Sequence, residues 1–319
     1  MIPAYCASRT IRRVVEGALA VADWVIVVDD GCPQHSGDLV RDFARVSVTA
    51  LGRNRGVGGA TKAGIAQALE LGAEYIVKID ADDQMDPAYV PEMIEVLELH
   101  PEVDLVKGNR FGDSATLRTM PIARLMGNAG LTFLVKFSSG YWTLVDPTNG
   151  YLAIRAESLA SVALAKLADR YFFEIDLLCA FGLGRRVIAE MEMPAIYGGE
   201  NSSLSIWRAL FGFPLKLAAR FVRRIVFNYF VTEINLGSVC AAIGIPLLVV
   251  ALVFGGHEWA VGLASGLPRP TGTIILALLL FIIGFQLSLQ ALLYDVGFST
   301  RTLKVRGRRR VTRAAGTPI

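Results

Sequence analysis

The sequence predicts an α/β domain on a mostly parallel sheet, followed by an amphipathic helix and two membrane-spanning helices. Three observations carry this. Short apolar runs alternate with amphipathic stretches over roughly the first third of the chain. Hydrophobic residues make up 53% of the 319 residues, and mean hydropathy is +0.46, above what a water-soluble domain needs. That surplus is uneven and lies after residue 235.

The strands are expected at 2–5, 24–28, 46–51, 75–79 and 104–107, with helices at 10–20, 37–44, 60–71 and 87–99 between them. Near-continuous apolar strands separated by amphipathic helices argue for a parallel sheet covered on both faces. From 108 to 139 the alternation stops; 151–154 is a further apolar stretch, and 186–193 supplies a last strand. The chain opens almost directly on a short strand without a secretory leader pattern, which leaves a trimmed start open.

Residues 203–235 are helical in period. Phe211, Phe213, Leu215, Leu217, Phe221, Ile225 and Tyr229 interleave with Arg208, Lys216, Arg220, Arg223 and Arg224. A basic helix with aromatic content suits a membrane interface. The runs 236–255 and 271–294 are uncharged, and each is long enough to cross a hydrocarbon core of about 30 Å. Gln286 and Gln290, one turn apart, are expected to hydrogen-bond to the first span or to another subunit. The connecting loop, 256–270, has Arg269 as its one fixed positive charge, whereas both outer flanks are rich in Arg and Lys. The positive-inside rule therefore puts the α/β domain and both termini in the cytoplasm of a multi-pass protein of the cell (inner) membrane. The resulting division is a domain at 1–200, interface helices at 201–235, a transmembrane hairpin at 236–296 and a basic tail at 297–319, which either lies against anionic headgroups or is a solvated topogenic tail. A net charge of +3 gives no reason to expect a nucleic-acid partner. Cys6, Cys32, Cys179 and Cys240 lack metal-ligand spacing and suit reduced thiols.

Chemistry is concentrated at strand ends. Tyr75-Ile76-Val77-Lys78-Ile79 runs into Asp80-Ala81-Asp82, and Trp24-Val25-Ile26-Val27-Val28 runs into Asp29-Asp30-Gly31. Ligands of open α/β sheets bind outside the carboxyl ends of the strands. Two carboxylates one residue apart repel unless a cation lies between them, and a hard divalent ion held by oxygens and substrate phosphates meets that need. Solvated turn aspartates capping helices would look the same for either pair alone. Asn54-Arg55-Gly56-Val57-Gly58-Gly59-Ala60-Thr61-Lys62 is glycine-rich and opens a helix. It is no dinucleotide fingerprint, since Thr61 stands where glycine is needed, and no P-loop, since the order is Thr-Lys. What remains is bare backbone at a helix N-terminus, either close to an anion or simply making a tight turn.

With these stretches on the page, the chain resembles inverting family 2 glycosyltransferases of the GT-A fold. More narrowly, it resembles the polyprenyl-phosphate branch that contains dolichyl-phosphate mannose synthase and bactoprenol glucosyltransferases. The matching stretches are Ile2-Pro3-Ala4-Tyr5, Val27-Val28-Asp29-Asp30-Gly31, Asn54-Arg55-Gly56, Asp80-Ala81-Asp82-Asp83-Gln84, Gly108-Asn109-Arg110-Phe111 and Asn149-Gly150-Tyr151. The resemblance implies a nucleotide-sugar site at Pro3, Tyr5, Asp29, Asp30, Lys62 and Asp80, and a Mg2+ or Mn2+ ion at Asp80 and Asp82 with Gln84 nearby. It also implies an acceptor-phosphate site at Arg110 and Arg124. Cys6 and Cys32 depart from the family's usual residues, which bears on nucleobase recognition and not on the reaction class.

The implied partners are a nucleotide sugar (a UDP- or GDP-hexose), a polyprenyl phosphate and the membrane, with a homo-oligomer left open. A polyprenyl phosphate is already an anionic nucleophile, so the enzyme must chiefly bring two polyanions together. A metal neutralises the leaving diphosphate and arginines align the acceptor. Glu174, in Tyr171-Phe172-Phe173-Glu174-Ile175-Asp176, stands as a sugar-pocket residue, a base or a helix cap. Two rivals compete with this reading. A processive polysaccharide synthase should carry Gln-x-x-Arg-Trp, whereas the sequence has Ile206-Trp207-Arg208. A non-catalytic scaffold or flippase partner should not need the acidic motifs.

Overall fold

The computed structural model describes residues 1–112, 122–194, 206–297 and 302–307; the side chains at 122–126, 128 and 206–211 lie outside that description. The chain divides into two compact units, Met1–Arg220 with Thr300–Ile319, and Phe221–Ser299.

The first unit runs β1 (Ile2–Ala4), α1 (Ile11–Leu19), β2 (Val25–Asp29), β3 (Val46–Ala50), α2 (Val57–Glu70), β4 (Tyr75–Lys78), α3 (Val90–Leu99) and β5 (Val103–Asn109). It continues with α4 (Ile122–Ser139), β6 (Leu152–Arg155), α5 (Phe173–Leu183), β7 (Val187–Glu192) and the start of α6 (Ile206–Val226). After the second unit the chain returns to add β8 (Thr302–Arg306). One sheet has the order β1-β2-β3, all parallel, and the other the order β4-β6-β5-β7-β8. Among the described strands only β6 is antiparallel to its neighbours. The Met1 amino group donates to the Val77 carbonyl (2.6 Å), and the Ile79 N–H donates to the Met1 carbonyl (3.1 Å), tying β1 to β4.

The strands are apolar throughout because both faces are covered. Val25 and Val27 of β2 pack with Ile11, Val14 and Val15 of α1 and Met93 and Leu97 of α3. Ile26 and Val28 point the other way, into a core with Ile65 of α2, Val135 of α4 and Phe173 and Phe181 of α5. The period-two alternation of a strand thus feeds two cores.

Three expected features of this first unit differ. The stretch 37–44 holds only a single 3-10 turn, Asp38–Val40, because the Asp29 carboxylate ties that loop down. The gap in the pattern from 108 to 139 contains an 18-residue helix, α4. Residues 302–306, in the segment expected as a headgroup-facing or solvated tail, pair in parallel with β7.

The second unit holds a π-turn (Phe227–Val231), α7 (Leu236–Ser265) and α8 (Thr271–Gly297). These two helices are 30 and 27 residues long with mean hydropathies of 2.5 and 2.4, long and apolar enough to cross a membrane. The linker is shorter than the expected 256–270, because α7 continues to Ser265. Its added turns carry Glu258, which accepts a hydrogen bond from Arg269 Nε (2.6 Å).

Candidate active site

Two cavities meet at the carboxyl ends of β1, β2 and β4. The larger, about 470 Å³, is lined by Pro3, Tyr5, Cys6, Thr10, Asp30, Asn54 and Arg170 among others. The smaller, about 230 Å³, is lined by Gln84, Arg110, Asn149, Tyr151, Glu174 and Phe213 among others. Asp80, Asp82, Val57 and Tyr171 line both, so the acidic motif after β4 stands at the junction.

The two aspartates after β2 do different work. Buried Asp29 accepts the N–H groups of Cys32 and Gly37, each at 2.8 Å, and lines neither cavity. Asp30 accepts the N–H groups of Arg55 (2.7 Å) and Gly56 (2.8 Å), which fixes the glycine-rich loop against the larger cavity. Burial pushes its carboxyl up, against the pull of those N–H groups and of Arg170 and Arg55. Gly56 has φ +87°, and a Cβ there would lie 2.8 Å from the Asp169 carbonyl, so only glycine suits the close approach.

Two buried lysines lie behind the lining of the junction. Lys78, the last residue of β4, is buried; its Nζ donates to Asp80 Oδ1 (2.6 Å) and the Gly150 carbonyl (3.3 Å) and pairs with Glu174 Oε1 (3.1 Å). Burial alone would lower the Lys78 ammonium, but Asp80 and Glu174 outweigh it and hold the group above its ordinary range. Lys107 of β5, also buried, donates to the Asn149 carbonyl. Burial lowers its ammonium to about 8, with Asp146 and Glu174 opposing and Arg110 and Lys78 adding to the fall. Asp82 Oδ1 accepts the Gln84 N–H at 3.1 Å. At the end of β5, Arg110 is gripped by buried Asp146 through Nε (2.9 Å) and Nη2 (3.2 Å).

Of the residues expected at a site, Pro3, Tyr5, Asp30, Asp80 and Asp82 line the larger cavity, and Asp80, Asp82, Gln84, Arg110 and Glu174 line the smaller. Lys62 lines neither: it donates to the Leu167 carbonyl (2.8 Å) and pairs with Asp169 (2.5 Å), pinning the loop before α5. Arg124 lies on α4, and its side chain falls outside the described residues. Lys78, Lys107 and Asp146 were not anticipated. Lysines inside apolar strand runs were the signal, since such a cation needs a buried anion.

Among the described residues no three acidic, His or Cys side chains form a self-sufficient metal cage. Two carboxylates beside a cavity still fit a small hard ion that takes its remaining oxygens from substrate phosphates and water.

A mostly parallel sheet covered on both faces, with an acidic motif at the meeting point of two cavities, is the arrangement of a GT-A glycosyltransferase. The chain belongs to glycosyl transferase family 2, whose sequence pattern matches residues 1–162. It is 28% identical to the UDP-N-acetylglucosamine--dolichyl-phosphate N-acetylglucosaminyltransferase of Methanococcus voltae, over 62% of this chain and 84% of that one. It is 32% identical to the undecaprenyl-phosphate mannosyltransferase of Micrococcus luteus, over 51% of this chain and 68% of that one. Glucosyl-3-phosphoglycerate synthase from Mycobacterium tuberculosis, solved with Mn2+, UDP-glucose and phosphoglyceric acid, shares the fold. The TM-score is 0.50 at 21% identity, covering 70% of this chain and 77% of that one.

Proposed function

We propose that the protein transfers a hexose, with inversion, from a nucleotide-diphosphate sugar to a polyprenyl phosphate at the cytoplasmic face of the cell membrane, as a step in cell-wall or glycan biosynthesis. The observation that carries this is the pair of cavities joined at Asp80 and Asp82. A donor in the larger would present its diphosphate at the junction, and an acceptor phosphate in the smaller would face Arg110.

In this reading Pro3, Tyr5 and Asp30 hold the nucleoside, with Asp29 shaping the loop behind it. Asp80 and Asp82, with Gln84 nearby, hold Mg2+ or Mn2+, which when bound offsets charge on the leaving diphosphate. The neighbour solved with Mn2+ and UDP-glucose supports such an ion. Arg110 and Arg124 neutralise and align the acceptor oxygen, which needs no strong base. Glu174 has one oxygen engaged by Lys78 and serves the shape of the sugar pocket instead. The two relatives act on dolichyl and undecaprenyl phosphate, which supports the acceptor class; their sugars differ, so the hexose is left open.

The direct test is a donor screen with a short polyprenyl phosphate, read by the mass of the lipid product. A lipid carrying one hexose is expected with one nucleotide sugar; no lipid product with any donor sinks the reading. For orientation, in a chain stripped of its own cysteines, Leu267→Cys should label from outside intact cells and Arg310→Cys should not. The reverse pattern would overturn the topology and the cytosolic donor supply with it.

A further inference from the structure

We propose that Lys304, on the strand made after the second apolar helix, is a positioning residue for the acceptor phosphate, acting through Glu190 and Asp146 on Arg110. The inference rests on the acceptor role of Arg110 given above. β8 pairs with β7 in parallel, with Lys304 opposite Glu190 in the register. The Lys304 ammonium donates to Glu190 Oε2. The Glu190 side chain is fully buried, and its other oxygen accepts the N–H groups of Val145 and Asp146, each at 2.8 Å. The Asp146 carboxylate in turn grips Arg110 through Nε, Nη2 and the Arg110 backbone N–H (3.2 Å).

Each link is physically constrained. A buried carboxylate needs a countercharge or it loosens the groups around it. Lys304 is half-exposed and reaches Glu190 from the sheet edge, so the chain distal to both apolar helices supplies that countercharge. Lys136 of α4 also feels the Glu190 charge, which makes loss of Lys304 a graded defect. If the 145–146 backbone shifts, Asp146 moves, and the Arg110 fork turns away from the smaller cavity. The donor cavity is lined by none of these four residues, so the defect should fall on the acceptor alone.

The test uses full-length protein in detergent, with steady-state kinetics for polyprenyl phosphate, calorimetry for the nucleotide sugar and a thermal midpoint. Lys304→Met should raise the acceptor KM about fivefold, with kcat and donor Kd within about twofold. Lys304→Arg should stay near the parent. The double variant Glu190→Gln with Lys304→Met should recover most of the acceptor KM, because glutamine still accepts both N–H groups and leaves no uncompensated charge. Arg110→Ala is run beside them. If Arg110→Ala raises the acceptor KM and Lys304→Met does not, the relay is wrong and the acceptor reading stands. If neither moves it, the acceptor reading falls and the relay falls with it. If Lys304→Met weakens donor and acceptor alike and the double variant does not recover, Lys304 merely stabilises the fold and the proposal is overturned.

Discussion

The two compact units both bury charged side chains but place their apolar residues oppositely. In the first, Val27 and Val28 of β2 are wholly buried and charges line a cleft. In the second, Val253, Leu263 and Ile275 are exposed, while Arg224, Tyr229 and Asp295 are buried. Arg224 binds Asp295 through both terminal nitrogens (2.7 and 2.9 Å), and the Tyr229 hydroxyl donates to the same carboxylate (2.7 Å). Lipid offers no reward for hiding leucine but penalises an unpaired charge, so an apolar exterior around a paired polar knot is what a membrane-embedded hairpin requires. Close helix packing there comes from small residues: a Cβ on Gly284 would lie 2.5 Å from the Leu248 backbone nitrogen. Gln286 and Gln290, expected to bond to the first span or to another subunit, are both exposed along α8.

The largest effect is expected where that contrast is sharpest. Arg224→Met leaves Asp295 buried without its cation, and breaking such a pair costs about 3–5 kcal/mol. The thermal midpoint in detergent should fall accordingly, and adding Asp295→Leu should return most of the loss. A single variant as stable as the parent would mean that this pair lies in water.

Next comes the cleft of the first unit, where the proposed work of charge is on rate. Asp82→Asn should lower turnover about 10²–10³-fold, the usual size for removing a group that stabilises developing charge. Its thermal midpoint should stay near the parent's. Excess chelator should silence the parent enzyme; full turnover in chelator would take the metal out of the mechanism. Arg110→Ala and Arg124→Ala should each lose about 1.5–3 kcal/mol of charge-assisted contact, roughly ten- to a hundredfold in acceptor kcat/KM. Donor affinity by calorimetry should hold. If it collapses while acceptor dependence stays normal, these arginines belong to the diphosphate.

The same contrast governs what could be read in advance. Strands buried on both faces announce themselves, and every expected strand of the first unit is present within a few residues. Strand order is not written in composition, so β6 lying antiparallel between β4 and β5 could not be foreseen. The α4 helix escaped notice because Gly127, Gly130 and Thr132 weaken its propensity and no acidic residue marks its start. β8 was missed for a different reason. Leu303 and Val305 alternate with Lys304 and Arg306, a strand signal hidden inside a basic tail. At the site, Asp80, Asp82 and Arg110 were legible as motifs, whereas Lys78 and Lys107 passed as strand interior. Their importance depends on which carboxylates the fold brings beneath them, and spacing along the chain does not carry that information.

The smallest expected effect separates two buried cations, Lys107 of the first unit and Arg224 of the second, by how well each is paired. Arg224 meets the Asp295 carboxylate through both terminal nitrogens, whereas Lys107 shares its anions: Asp146 is gripped by Arg110, and Glu174 by Lys78. Burial therefore wins at Lys107, and its ammonium falls to about 8 from 10.5. The sign follows from proton counting. Between these values the unfolded chain binds more protons at this site than the folded one, so the Lys107 contribution to stability rises with pH. Below about 8 both states are charged and the folded state bears the full cost of burying the cation; above 10.5 both are neutral and that cost is gone. From pH 7 to 9 the relief should amount to roughly 1 kcal/mol. Lys107→Met has nothing to titrate, so parent and variant should differ in the slope of stability against pH, measured by denaturant unfolding at pH 7, 8 and 9. Parallel slopes would mean that Lys107 is as well neutralised as Arg224, and the distinction between the two units would then rest on apolar placement alone.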